Sequence, residues 1–329
     1  MIFFDVTKSA GAKHASGLMR VNRRLAVELG EAIQPVVWGK WNPAEATSGD
    51  WYLTTETFDI DKRPGFQRFL REAPCRKAAL FADAIPLKFP QITWPHSVAR
   101  HPRYMNALRQ CDHVFAISSA VAEDLLGFWQ WQGEAASTQV SVLPLGADFD
   151  SSPRHRQRTE IPPPVLTCVG IVEPRKNQSF LLEVAESLWA DGLDFELHIV
   201  GRVNPHFGAP IKAAIRKLAL RRPNLQFHEA ASDEVFGQLL ARSRAVVFPT
   251  IAEGCGLPVL ESLWRALPCV CSNLPVLLEN SERGGCVNLP TNDLEAWWSG
   301  AWKVLATEAA ERPLPTWQAS AQIILQQLT

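Results

Sequence analysis

The stretch AVVFPTIAEGCGLPVLESL, residues Ala245–Leu263, is where the chain declares its architecture. Ala245–Thr250 is a short apolar, β-branched run that ends in proline, which marks a strand. A loop with Glu253, Gly254, Cys255 and Gly256 follows, and a helix starts near Leu257–Pro258, where proline suits the first turn. The two glycines let the backbone approach a ligand closely, and the free amides of the helix start point along its dipole. Glu253 lies on the loop and Glu261, eight positions on, about one turn into the helix. A loop carboxylate can hold sugar hydroxyls, and a helix carboxylate can accept bonds from a ribose diol. Both acids are also simply favourable at a helix N-terminus.

The same strand–loop–helix unit recurs on both sides. Upstream lie strands at Pro164–Gly170, Phe195–Gly201 and Leu225–Glu229, and helices at Ser179–Gly192, Pro210–Arg221 and after the Ser232 cap; a strand at Pro268–Ser272 follows. The first half repeats the theme, with strands at Ile2–Val6, Ile33–Trp38, within Lys77–Pro86, at His113–Ser118 and at Val140–Gly146. Its helices are Ser16–Gly30, Pro102–Cys111 and the one after the Ser118 cap. Polar, proline-rich residues 150–164 read as a linker. The expected fold is α/β: two Rossmann-like domains, 1–150 and 151–315, with a cleft between them. The last helix, near Thr316–Thr329, is expected to pack back on the first domain.

GIVEPRKNQSF, Gly170–Phe180, carries the second constellation. Gly170 ends a strand, and Arg175 and Lys176 stand in the turn before a helix. A guanidinium fork and a point charge beside a helix N-terminus suit a diphosphate. An Arg–Lys pair in a loop is also, by itself, ordinary solvated surface.

Composition narrows the field. Lys+Arg number 33 and Asp+Glu 34 in 329 residues, so nothing resembles a nucleic-acid binder. The seven cysteines are odd in number and lack C-x-x-C spacing, which argues for small buried side chains in a reducing compartment. MIFFDVTKSA lacks the basic leader of a signal peptide, and no run reaches the roughly 18 apolar residues of a membrane span. The chain is expected to be soluble and cytoplasmic, with room for peripheral contact at the inner membrane face. Twelve tryptophans, among them Trp129, Trp131, Trp297, Trp298 and Trp302, are either helix packing or exposed platforms for sugars or an interface.

Taken together, V-G-x-x-E-P-R-K-N, H-I-V-G-R, S-D-E, V-V-F-P-T-x-x-E-G-x-G-L-P-V-L-E-S and S-N-L-P-V-L resemble, in order and spacing, the donor domain of glycosyltransferase family 4. That family comprises retaining GT-B enzymes that use nucleotide sugars. The first half is similar more weakly, through S-G-x-x-R-V-x-x-x-L-A, D-A-I-P-L-x-x-P and A-I-S-x-A-V-A-E-D-L. The resemblance implies that Arg175 and Lys176 bind the donor diphosphate, Glu253 the transferred sugar and Glu261 the ribose. It implies that the backbone near Gly254, Cys255, Gly256 and Leu257 cradles the sugar and distal phosphate. Gly170 belongs to the donor site, Ala230 and Ala231 lie by the nucleobase, and Gly17 lies near the diphosphate. Cys255 stands where relatives carry a bulky aromatic, and Ala82 stands where many have histidine before Asp83. On the acceptor side Asp83 is joined by His96 and His101, read first as neutral surface residues.

Asp148 and Asp150 have D-x-D spacing but sit at the linker and read as turn residues, so neither metal nor cofactor is expected. The cations and helix amides would then stabilise the leaving diphosphate. The expected partners are a nucleoside-diphosphate sugar and a glycan or lipid-linked acceptor in polysaccharide or glycoconjugate synthesis. Base choice rests on backbone edges near Glu229–Ala231; GDP-mannose is the first expectation, with UDP-hexoses beside it. Two alternatives stay open: a GT-B phosphorylase or epimerase, and an inactive sugar-nucleotide-binding scaffold.

Overall fold

The computed structural model describes residues 1–11, 16–133, 137–149, 163–307 and 310–328, apart from the side chain of Trp302. Asp150 and the linker expected at 150–164, up to residue 162, lie outside the described residues. The chain divides into two compact units, Met1–Phe149 with Pro315–Thr329, and Asp150–Leu314.

The first unit contains β1 (Ile2–Asp5), α1 (Gly17–Leu29), β2 (Ile33–Val36), β3 (Trp51–Thr54), α2 (Phe66–Glu72) and β4 (Arg76–Phe81), followed by α3 (Ile85–Lys88), α4 (Pro95–Leu108), β5 (His113–Ala116), α5 (Ser119–Trp131) and β6 (Gln139–Val142). The strands form one parallel sheet in the order β2-β1-β3-β4-β5-β6. Parallel strands are covered on both faces, so they read as nearly continuous apolar runs; β3 and β5 are buried at every position. α1 is capped by Ser16, whose side chain accepts from Met19 N, and buries Val21, Leu25 and Leu29. Those three sit at helical spacing on one stripe. An aromatic cluster closes one face of the sheet: Tyr52 stands 5.0 Å from Phe69, and Trp38 stands 4.8 Å from Phe66.

Two features depart from the reading above. The strand Trp51–Thr54 and the helix Phe66–Glu72 have no counterpart in it. The helix expected at Pro102–Cys111 begins at Pro95 and holds Pro102 in its interior. Pro95 takes the first-turn place that Pro102 had been given, and Pro102 leaves the Val98 carbonyl without its in-helix N–H.

The second unit runs β7 (Val165–Val169), α6 (Gln178–Ala190), β8 (Glu196–Val200), α7 (Ala209–Ala219), β9 (Leu225–His228), α8 (Asp233–Arg242) and β10 (Ser243–Phe248), then α9 (Leu257–Trp264), β11 (Cys269–Ser272), α10 (Pro275–Ser281), β12 (Cys286–Leu289) and α11 (Leu294–Ala306). Its parallel sheet has the order β12-β11-β10-β7-β8-β9. Leu166, Leu197, Ile199, Val247 and Val270 pack against α6, α7 and α11 in one core. The strand order reverses between β7 and β10, and the loops leaving the carboxyl ends of such a pair are where open α/β sheets hold ligands.

The last helix, α12 (Trp317–Leu328), belongs to the first unit and packs on α1. Trp317 N donates to Asp148 Oδ1 at 2.8 Å, and Ser320 Oγ donates to Pro144 O at 2.6 Å. A Cβ on Gly146 would collide with the backbone of Trp317, so only glycine lets the helix approach this closely.

All seven cysteines are free; six are buried and Cys286 half-buried. Trp129 and Trp297 are core residues, the half-buried Trp298 donates to Asp191 Oδ2, and Trp131 is 79% exposed. Among the described residues no helix is long and apolar enough to cross a membrane.

Candidate active site

The loop after β7 is shaped by glycine and proline. Gly170 N donates to Val200 O at 3.0 Å, and a Cβ on Gly201 would strike the Gly170 carbonyl oxygen, so the ends of β7 and β8 meet backbone to backbone. Pro174–Lys176 forms a single 3-10 turn, and Asn177, with φ 57°, turns the chain into α6. Asparagine tolerates that left-handed conformation better than most residues. Arg175 and Lys176 are thereby placed at the start of α6.

The loop after β10 is stitched to this turn. Ile251 N donates to Arg175 O at 2.9 Å. Arg175 Nη1 donates to Glu253 Oε1 at 2.9 Å and to Ala252 O at 3.0 Å. Lys176 Nζ donates to the same Glu253 oxygen, and Thr250 Oγ1 does so at 3.0 Å. Behind Arg175, Glu173 Oε1 accepts from Nε at 2.9 Å, while Asn204 Nδ2 holds the other Glu173 oxygen at 2.8 Å. The Lys176 ammonium also lies 4.4 Å over the Phe248 ring. Two cations and two carboxylates therefore share one patch, with Lys176 and Glu253 only 9% and 10% exposed and Arg175 22%.

Burial by itself would raise the Glu253 carboxyl, but Lys176 and Arg175 outweigh it and hold it below the ordinary carboxylate range. Burial, opposed by Glu253, pulls the Lys176 ammonium down. Glu253 stays ionised, and every side-chain bond it receives from described residues falls on Oε1.

The remaining expected residues fall as follows. Gly256 precedes α9 with φ 75°, and a Cβ there would collide with Leu277. Gly254, Cys255 and Leu257 complete the approach to the helix. Cys255 is buried, its thiol is pushed up to about 12 by burial, and its carbonyl accepts from Asn280 Nδ2 at 2.6 Å. The loop is thus anchored to α10 through Cys255 O. Glu261 sits further into α9 and is 3% exposed. Ala230 has φ 55°, and its N–H reaches Gly201 O at 3.4 Å, which puts Ala230 and Ala231 past the end of β9.

Of the residues expected in the first unit, Asp83 and His101 are in contact. Gly17 opens α1. Asp83 Oδ1 caps Ile85 N at 3.0 Å, and its carbonyl meets His101 Nε2 at 2.9 Å. His101 is 5% exposed against Tyr104, and burial lowers its imidazole; the surface position expected for it is wrong. The cause is the early start of α4, which turns His101 inward. His96 is exposed and 3.6 Å from Asp59 instead. Asp148 anchors α12. Among the described residues no cluster of three His, Cys, Asp or Glu could hold a metal ion.

Sequence reasoning missed a buried charge network at the ends of β1 and β3, the point where the first sheet reverses its order. Arg63 bridges Asp5 Oδ2 at 2.5 Å and Glu56 Oε2 at 3.0 Å, and Glu56 also accepts from Lys8 N and Ser9 N. No local pattern links these residues.

With this geometry in place, comparison with known proteins is decisive for the second unit. The family model for glycosyl transferases group 1 matches residues 163–307. Residues 163–307 are a group 1 glycosyltransferase domain. The serotype-specific mannosyltransferase WbdA of Escherichia coli is 28% identical to the chain over 293 residues, covering 80% of this chain and 35% of that protein. The MMP alpha-(1->4)-mannosyltransferase of Mycolicibacterium hassiacum is 30% identical over 186 residues, 56% of this chain and 42% of that one. The chain therefore spans about a third of the first relative and about two fifths of the second.

Around the glycosyltransferase domain the whole chain has the GT-B fold. Sucrose-phosphate synthase from Thermosynechococcus elongatus superposes with a TM-score of 0.66 at 16% identity, over 99% of this chain and 94% of that one. The pneumococcal O-GlcNAc transferase GtfA, in complex with UDP and GlcNAc, superposes with a TM-score of 0.58 at 11% identity, over 87% and 57%.

Proposed function

We propose that the protein is a retaining hexosyltransferase that takes a nucleoside-diphosphate sugar, with GDP-mannose as the first candidate, and passes the sugar to a glycan or lipid-linked hydroxyl. The observation that carries this reading is the convergence of Arg175, Lys176 and Glu253 at the reversal point of the second sheet, ahead of the start of α9. The mannosyltransferase relatives support the choice of sugar.

In this reading an arriving diphosphate competes with Glu253 for Arg175 and Lys176, and α9 offers its first amides to the distal phosphate. Glu253 Oε2, which takes none of the cation bonds, meets a sugar hydroxyl, and Glu261 the ribose. Ala230 and Ala231 border the base, and Gly170 the diphosphate. The bond from C1 to the phosphate oxygen breaks first, its electrons leaving with the nucleoside diphosphate. The acceptor oxygen then bonds C1 from the same face, and its proton passes to a departing phosphate oxygen. Fixed cations and amides at the developing charge lower the barrier because they need no reorganisation.

A thermal-shift screen against GDP-, UDP- and dTDP-sugars, followed by a transfer assay, tests the proposal. Binding at 100 times Kd is worth about 2.7 kcal/mol of stability, so a genuine donor moves the midpoint clearly. If no sugar nucleotide moves it, the reading fails. Binding without hydrolysis or transfer would instead mark a scaffold.

A further inference from the structure

Apart from the cations and carboxylates of the candidate site, two imidazoles are joined to each other. His198 on β8 and His228 at the end of β9 stack with ring centres 5.1 Å apart and planes 7° from parallel, and His198 Nδ1 lies 2.9 Å from His228 Nε2. Glu196 Oε2 lies 2.9 Å from His198 Nε2, and Arg242 Nη2 of α8 lies 3.5 Å from that carboxylate oxygen. His198 is 5% exposed. The chain Arg242–Glu196–His198–His228 thus runs from the C-terminal end of α8 to the residue that precedes Glu229–Ala231.

A hydrogen bond between two imidazole nitrogens needs one N–H and one lone pair. Glu196 favours an N–H on His198 Nε2. With both rings neutral, His228 Nε2–H then donates to His198 Nδ1. One added proton, taken up at His228 Nδ1, leaves the bond standing, whether the shared proton stays on His228 Nε2 or crosses to His198 Nδ1 beside Glu196. A second proton sets N–H against N–H and two positive rings face to face, and the contact opens. The other charged groups nearby do not relieve this. Arg242 adds positive charge, and Glu229 is already paired with Lys212 at 2.6 Å and Arg216 at 3.8 Å. Thr167 on β7 and Ser243 on β10 face each other as neutral hydroxyls.

His228 also holds the strand end. Its carbonyl accepts from Gly201 N at 3.1 Å, and two residues later Ala230 takes its left-handed turn.

We propose that the His198–His228 pair is a positioning element for the base-side segment Glu229–Ala231, and that charging both rings weakens donor binding. The proposal rests on the donor-site reading above. Burial, aided by His198, lowers the His228 imidazole, in line with a pair that resists its second proton.

Two experiments separate this inference from the functional reading. The first is donor-free: histidine NMR titration of the whole protein. His228 is expected to titrate below its ordinary value and to move when His198 is replaced in His198→Gln; a His228 ring at its ordinary value that ignores that substitution would overturn the pairing. The second is calorimetric binding of GDP-mannose and UDP-glucose, whose bridging diphosphates do not titrate in the range used. From about pH 8 to about pH 5.5 the sugar nucleotide should bind more weakly, by about twofold or more, because the second proton enters below the ordinary imidazole range. The variants His228→Gln and His198→Gln should bind at about pH 8 and lose that dependence. No binding at pH 8 sinks the donor-site reading. Wild-type binding that is flat with pH, or an unchanged dependence in both variants, sinks the inference alone.

Discussion

Lys176 and Arg175 reach the same oxygen of Glu253, and that shared acceptor determines what each substitution does. Lys176→Ala and Arg175→Ala should each lower kcat/KM by about 10²–10³, or about 3–4 kcal/mol of transition-state stabilisation, with the fold intact by circular dichroism. Wild-type turnover in both would remove the clamp assignment. The Glu253 carboxyl is held below its unfolded value, so its stabilising contribution is complete above the ordinary value of 4.5 and drains away as pH falls toward the folded value. Arg63 gives a contrast with no ligand in view. Arg63→Met leaves the Asp5 and Glu56 carboxylates buried without their cation and should cost about 3–5 kcal/mol in urea unfolding. The cation turn and the Glu253 loop were legible because phosphate chemistry calls for cations, and glycine and proline punctuate such loops. Asp5, Glu56 and Arg63, like His198 and His228, were not, because each set is assembled from separate strands and loops with no local pattern.

Elements were legible where a periodic run was long and badly marked where it was short. β3 is four residues between Asp50 and Thr55, too few for a period to show. β12, at the sheet edge, mixes Asn288 with apolar residues and is mostly half-buried, and α10 and α11 follow turns that the reading passed over. α4 begins at Pro95, seven residues before the expected Pro102, because Pro95 suits a first turn and the helix tolerates Pro102 in its interior. Two glycines separate packing from propensity at this scale. Gly146→Val should drive a side chain into the backbone of Trp317 and cost about 1–3 kcal/mol in denaturant unfolding. Gly127→Ala, inside α5 with open space around it, should instead gain about 0.5–1 kcal/mol. Equal effects from the two changes would discount the close docking of α12.

At the scale of the molecule, two separate apolar cores imply two cooperative units rather than one, since multi-domain chains depart from two-state unfolding. Calorimetry with a sugar nucleotide should move the transition of the second unit and leave that of the first in place. A donor that shifted only the first unit would contradict the site assignment. The two trains of alternating strand and helix made the paired sheets legible. The expectation about the last helix had no such basis, because its docking depends on Gly146 and Asp148 meeting Trp317 across 169 residues of sequence.

That returning helix also orders events during synthesis. The first unit is translated up to Phe149 but receives α12 only from Pro315 onward, 166 residues later (315 − 149). At ribosomal speed that interval is on the order of ten seconds or more. Throughout it the nascent unit carries an uncovered seam along α1 and the Leu143–Ala147 strand exit, while the second unit finishes first. A chaperone with affinity for apolar seams would find its binding site there, and α12 would displace it once Trp317–Leu328 had left the ribosome.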